Sequence, residues 1–123
     1  MSGDGSEDPG FIKSAGSAAE GAVLTNIAGP PPADFASAYA AANDDTAGPN
    51  ATATYDATNI FIQGILAGNT TRDAMQSFVS SYKGTGAAGP IQFDANGDVL
   101  NGTVWAYHVV NGQIDVDHPT PIK

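Results

Sequence analysis

The side chains of this chain that can do chemistry are two histidines, thirteen carboxylates and a scatter of Asn, Ser and Thr, and their spacing narrows what they can do. His108 sits in a β-prone stretch with largely apolar neighbours on both faces. As a general base it needs a nucleophile or an orienting carboxylate within hydrogen-bond reach, and the adjacent sequence names neither. It reads as a strand histidine without chemistry. Asp115, Asp117 and His118 cluster, and alternation puts the two carboxylates on one side of an extended chain, where they can in principle grip a divalent ion. A structural metal site fixes four ligands, whereas Pro119 and Pro121 predict a solvated, mobile tail at 118–123. Asp94-Ala95-Asn96-Gly97-Asp98 opens like a calcium loop, with oxygens at positions 1, 3 and 5, but Val99 stands at position 6 and Trp105 at position 12, where Gly and Glu are needed. A hairpin turn explains the same residues without a metal.

Other catalytic signatures are missing. The chain has no Gly-x-Ser-x-Gly elbow, His-Glu-x-x-His, phosphate-cradling loop or dinucleotide fingerprint. The sequons Asn50-Ala51-Thr52, Asn69-Thr70-Thr71 and Asn101-Gly102-Thr103 are what an Asn- and Thr-rich chain produces by chance. A small hydrolase using His108 with Asp115 or Asp117 is therefore disfavoured, and no cofactor or metal is expected.

The elements that would position these residues alternate between helix and strand. Residues 1–10 have a loop composition. Ala22-Val23-Leu24-Thr25-Asn26-Ile27 reads as a strand that stops at Gly29-Pro30-Pro31-Pro32. Pro32 suits the first helical position, and Phe35, Ala38, Tyr39 and Ala42 mark one helical face as far as Asn43. A longer helix is predicted over 51–67, with Ile60, Phe61, Ile62, Ile65 and Leu66 spread around it, which predicts burial from several directions. Gly64 inside that helix costs about 1 kcal/mol in propensity and predicts close backbone packing. Thr70 or Thr71 caps a third helix, whose face is Met75, Phe78, Val79 and Tyr82, closing at Lys83-Gly84. Strands are predicted near 90–94, 102–110 and 113–116, with Asn96-Gly97 and Asn111-Gly112 as hairpin turns.

Composition excludes whole classes of partner. Thirteen acidic residues against four basic ones give a net charge of −9, and Lys13, Arg72, Lys83 and Lys123 are scattered. Phosphate recognition needs clustered cations, so nucleic acid and anionic membrane surfaces are set aside. No run reaches the ~20 apolar residues of a membrane span, and the first nine residues lack the basic and apolar regions of a signal peptide. With no Cys, there is no disulfide, Cys-ligated zinc or thiol nucleophile.

The order of segments says more than any single motif. Gly3-Asp4-Gly5-Ser6, Asp8-Pro9-Gly10-Phe11-Ile12-Lys13, Ala15-Gly16-Ser17-Ala18-Ala19-Glu20-Gly21, Phe35-Ala36-Ser37-Ala38-Tyr39, Tyr55-Asp56-Ala57-Thr58-Asn59 and Gly89-Pro90-Ile91-Gln92-Phe93-Asp94-Ala95-Asn96-Gly97-Asp98 follow one another, before an aromatic strand around Trp105-Ala106-Tyr107. This succession resembles the C-terminal third of type I periplasmic binding proteins, the branched-chain amino-acid receptors of ABC transporters. It runs from Gly3 to about Gln113.

The resemblance implies an α/β fragment of a two-lobed fold, with about three helices on a small mixed sheet and C-terminal hairpins. It assigns residues 1–25 and 102–117 to the C-terminal lobe, 31–95 to helices of the N-terminal lobe, and 26–30 and 96–101 to crossings between lobes. It implies a non-enzymatic function, the capture of an amino acid or similar small ligand for delivery to an ABC permease, in an extracellular or periplasmic setting. By resemblance Asp4 binds the ligand's ammonium, and Asn50 and Tyr55 lie near the ligand cleft; Asn50 stands where the family commonly has an aromatic. The alternative is a stand-alone interaction module that forms homo-oligomers through exposed apolar helix faces.

Overall fold

The computed structural model describes residues 1–100 and 102–122, so the predicted crossing at 96–101 lies outside the described residues at Asn101, as does Lys123 at the end of the tail. The chain divides into two compact units, Met1–Pro30 with Thr103–Lys123, and Pro31–Gly102. The α/β class stands, but the helices divide between the units. Four helices are present among the described residues, and the strand pairings are antiparallel apart from a parallel bridge between Ser2 and Leu24.

The first unit is built on a central strand, β4 (Val104–Val110). Strand β1 (Val23–Asn26) pairs along one edge, with Leu24 opposite Tyr107 and Asn26 opposite Trp105. The strands β5 (Gln113–Ile114) and β6 (Thr120–Ile122) pair with β4 as well, β5 at Val109–Val110 and β6 at Val104–Ala106. Period-two alternation gathers Leu24, Asn26, Tyr107 and Val109 on the buried face, while His108 points the other way and is exposed. Asn111 and Gly112 both take positive φ, 53° and 71°, the pairing a type I′ hairpin demands. The predicted mobile tail is corrected here, because Thr120–Ile122 adds an edge strand to β4.

A helix that the loop-like composition concealed, α1 (Pro9–Ala15), opens this unit. Asp8 caps it by accepting from the Gly10 N–H at 2.6 Å, and Pro9 occupies the first turn, where its missing N–H costs nothing. Asp-Pro-Gly is thus a helix start rather than a turn.

The second unit holds α2 (Ala33–Asn43), α3 (Ala51–Leu66) and α4 (Arg72–Ser80), followed by a hairpin of β2 (Lys83–Gly86) and β3 (Gly89–Gln92). Thr71 caps α4 through the Ala74 N–H, and Gly68, at φ 87°, ends α3. Gly64 supplies the expected close approach: a methyl there would meet the Met75 thioether at 2.6 Å and Phe78 at 3.0 Å. Burial of α3 from several directions is overturned. The buried line is Thr52, Asp56, Ile60 and Gly64, spaced by four, whereas Phe61, Ile62, Ile65 and Leu66 are exposed. A helix side is buried only where another element lies against it, and apolar composition cannot provide that element.

The predicted Asn96-Gly97 turn does fold the chain back, with the Leu100 N–H donating to the Gln92 carbonyl at 2.8 Å, but not as a type I′ turn. Only Gly97 takes a positive φ, and the turn closes locally, bridging Phe93 to Val99. The strand at 90–94 pairs in addition with the unforeseen β2.

Candidate functional site

In the first unit, Asp4 opens a short 3₁₀ turn, Asp4–Ser6, and its side chain is exposed. That turn is secured at both ends. Ser2 exchanges backbone hydrogen bonds with β1, donating to Val23 and accepting from Thr25 at 2.9 Å each, and the Glu7 N–H donates to the Asp4 carbonyl at 2.8 Å.

Beneath the turn is a chain of buried polar groups. Asn26 Nδ2 donates to Glu7 Oε2 at 2.7 Å, and the Asn26 Oδ1 accepts from the Ala28 N–H at 2.9 Å. The Tyr107 hydroxyl donates to the Ala28 carbonyl at 2.9 Å. Both amide atoms of Asn26 are therefore used, in the one orientation that satisfies Ala28 as a donor. Burial holds the Glu7 carboxyl above its ordinary pKa, opposed by the bond from Asn26 and reinforced by the negative charge of Asp4. Burial, with a smaller contribution from the Glu7 charge, pushes the Tyr107 phenol up to about 12. Next along the chain, Gly29 lies so close to Trp105 that a methyl would meet the indole Nε1 at 2.7 Å. The segment leaving the first unit is thus held through Asn26, Tyr107 and Trp105.

In the second unit, Tyr55 lines an open cleft of about 380 Å³ shared with Asp34, Phe35, Asn59, Gln63 and Tyr82. The Tyr55 ring meets Phe35 edge-on, with centroids 5.3 Å apart and planes at 69°. This is a favourable arrangement of ring edge against ring face. Asn50 takes the left-handed conformation at φ 64° immediately before α3, with no side-chain cap bond, and does not line the cleft. Asp4 belongs to the first unit, and Asn50 and Tyr55 to the second.

Asp56, on the same wall as Tyr55, has a role the sequence reading missed. It is 5 % exposed and accepts from the backbone N–H groups of Ala87 at 2.7 Å and Ala88 at 3.1 Å, clasping the β2–β3 turn. The available signal was its place four residues from Thr52 and from Ile60, on the inward line of α3, where a carboxylate must find donors. Glu20 acts alike in the first unit, accepting from Asn111 and Gly112 in the β4–β5 turn at 3.0 and 2.9 Å.

Of the groups weighed for metal or hydrolytic chemistry, Asp94 and Asp115 have hydrogen-bond partners close in sequence. Asp94 Oδ1 accepts from the amides of Asn96 and Asp98 in its own loop at 2.8 and 2.9 Å. Asp115 meets His118 rather than His108, at 3.0 Å, and this exposed contact, chiefly the hydrogen bond from the imidazole, lowers the Asp115 pKa. Among the described residues no three His, Asp or Glu side chains converge as metal ligands.

The sequence matches no family model and no curated protein. Solved structures do match. A leucine-binding protein from Thermotoga maritima superposes with a TM-score of 0.71 at 26% identity, over 95% of this chain and 35% of its own. The branched-chain amino-acid transporter substrate-binding protein of Streptococcus pneumoniae, in complex with isoleucine, gives 0.74 at 18% identity, over 98% of this chain and 36% of its own. The chain has the fold of part of a branched-chain amino-acid substrate-binding protein. It spans about a third of the length of these two neighbours. A solute-binding protein from R. palustris, in complex with benzoate, shares this binding-protein fold with a TM-score of 0.63 at 15% identity, over 92% of this chain and 34% of its own. The neighbours are solute-binding proteins rather than enzymes. Their ligands range from amino acids to an aromatic acid without an ammonium, so the fold alone does not choose the ligand.

Proposed function

We propose that this chain is the C-terminal segment of an extracellular or periplasmic receptor that captures a branched-chain amino acid or similar small ligand for an ABC permease. The observation that carries the reading is the likeness, over nearly the whole chain, to binding proteins solved with isoleucine and named for leucine. In this reading the unit Met1–Pro30 with Thr103–Lys123 belongs to the C-terminal lobe, and Pro31–Gly102 to the N-terminal lobe. Asp4 receives the ligand's ammonium: its carboxylate is exposed on a turn secured to β1, and can form a charge-assisted hydrogen bond with it. Asn50 and Tyr55, by the same resemblance, lie near the ligand cleft of the whole receptor. Capture is non-covalent, and lobe closure is what the permease reads.

The 123-residue chain alone binds leucine, isoleucine or valine weakly or not at all, and micromolar binding by calorimetry contradicts this. The positive test is a chimera in which this segment replaces the matching third of the Thermotoga maritima leucine-binding protein. It binds leucine, and Asp4→Asn lowers the affinity at least tenfold; loss of only a few per cent removes Asp4 from the site.

A second reading, a homo-oligomeric interaction module, is favoured by the exposed Phe61, Ile62, Ile65 and Leu66 of α3. Light scattering coupled to size exclusion separates the two, since a receptor segment need not self-associate.

A further inference from the structure

Glu7 is the buried titratable group that the receptor reading leaves without a task. A carboxylate at 9 % exposure, with one hydrogen-bonding side chain facing it, is unfavourable for stability in its charged form, and an apolar residue fills such a place more cheaply. Its position suggests why an acid stands there. On one side its own N–H closes the turn that presents Asp4. On the other its carboxylate holds Asn26, whose Oδ1 holds the Ala28 N–H, and the Ala28 carbonyl is held by Tyr107.

We infer that Glu7 is a positioning residue of the Asp4 site: its bond to Asn26 ties the turn bearing the Asp4 carboxylate to the Ala28 segment that leaves the unit, so that a change of charge at Asp4 is registered at Ala28. This rests on the assignment of Asp4 as the ammonium partner. The titratable group whose charge acts on Glu7 is Asp4, on its own turn, with Asn26 from β1 as the neutral donor; Tyr107 from β4 is in turn acted on by the Glu7 charge. A cation paired with Asp4 cancels the repulsion between the two carboxylates. Glu7 then ionises more readily and, as an anion, accepts more strongly from Asn26. An ammonium at the exposed site thereby tightens the hold on the exit segment without touching it.

The test needs no ligand. Carboxyl and amide resonances of the 123-residue chain are followed by NMR from pH 3 to 8. The Ala28 amide titrates with the midpoint of the Glu7 carboxyl. Glu7→Gln abolishes the Ala28 transition, and Asp4→Asn, which mimics a neutralised Asp4 on an exposed side chain, keeps it but moves the Glu7 and Ala28 midpoints together to lower pH. An Ala28 transition that survives Glu7→Gln, or a Glu7 midpoint unmoved by Asp4→Asn, overturns the inference. Should Glu7→Gln unfold the chain, the Asp4→Asn comparison still decides. A chimera that binds no leucine overturns the receptor reading alone, since the Glu7–Ala28 titration is read in its absence.

Discussion

Much of this protein's acidity is spent on its own backbone. Asp56, Glu20, Asp94 and Asp8 accept from amides in turns or at a helix start, and Glu7 accepts from a buried side-chain amide. Removing the Asp56 carboxylate leaves two partly buried N–H groups of the β2–β3 turn without an acceptor. Hydrogen bonds to charged groups contribute about 1.5–3 kcal/mol each, so losing both in Asp56→Ala lowers the unfolding free energy by about 3–6 kcal/mol in urea titration. Gly86→Ala also destabilises, because its methyl would land on the Asp56 carboxyl. Glu7 ties stability to pH. Its folded pKa lies above the ordinary 4.5, so its neutral form contributes stability that is complete below 4.5 and is lost as the pH rises through the folded midpoint. Glu7→Gln stays neutral and can still accept from Asn26. The stability of the variant minus that of the wild type therefore increases between pH 4 and 7 in thermal melts, and a difference that falls over this range would count against the assignment.

At the scale of elements, α3 shows what periodicity can and cannot report. Its helical extent and the close approach at Gly64 follow from the sequence, because local propensity and a small residue against Met75 act within a few turns. Its burial does not, since Phe61, Ile62, Ile65 and Leu66 look as core-like in sequence as Ile60, and only the placement of neighbouring elements separates them. The consequence is a contrast between two similar residues. Ile60→Ala, at 4 % exposure, costs about 2–5 kcal/mol, whereas Leu66→Gln, at 82 %, changes stability by less than about 0.5 kcal/mol in the same denaturation assay. Two Asn-Gly pairs make the same point for turns. At Asn111-Gly112 both residues take positive φ, but at Asn96-Gly97 only Gly97 does, and Asp94 accepts from the loop amides in a turn of different shape.

For the whole molecule, the exposed side of α3 decides between the two functional readings. If these residues drive assembly, Phe61→Gln with Ile65→Gln turns a dimer into a monomer; if they face the remainder of a longer lobe, the wild type is already monomeric and the substitutions leave its mass unchanged. Light scattering at several concentrations gives the answer. Of the candidate site, the sequence pointed to Asp4, Asn50 and Tyr55 by motif order, and the structure adds hydrogen-bonding roles for Glu7, Asn26, Tyr107 and Asp56 that motif order does not assign. These act through partners 19, 79 and 31 residues away in the chain, Glu7 to Asn26, Tyr107 to Ala28 and Asp56 to Ala87.

The sequence by itself determined α2, α3 and α4, the strands at 23–26 and 104–110 and the Asn111-Gly112 turn, because each depends on local propensity. Tertiary structure alone decided which acids are buried, which strand β3 accepts, that the tail completes the edge of β4, and that Glu7 reaches Ala28 through Asn26. Those outcomes turn on long-range geometry. A carboxylate becomes a clasp for a turn or a buried charge according to what the fold brings within about 3 Å of it.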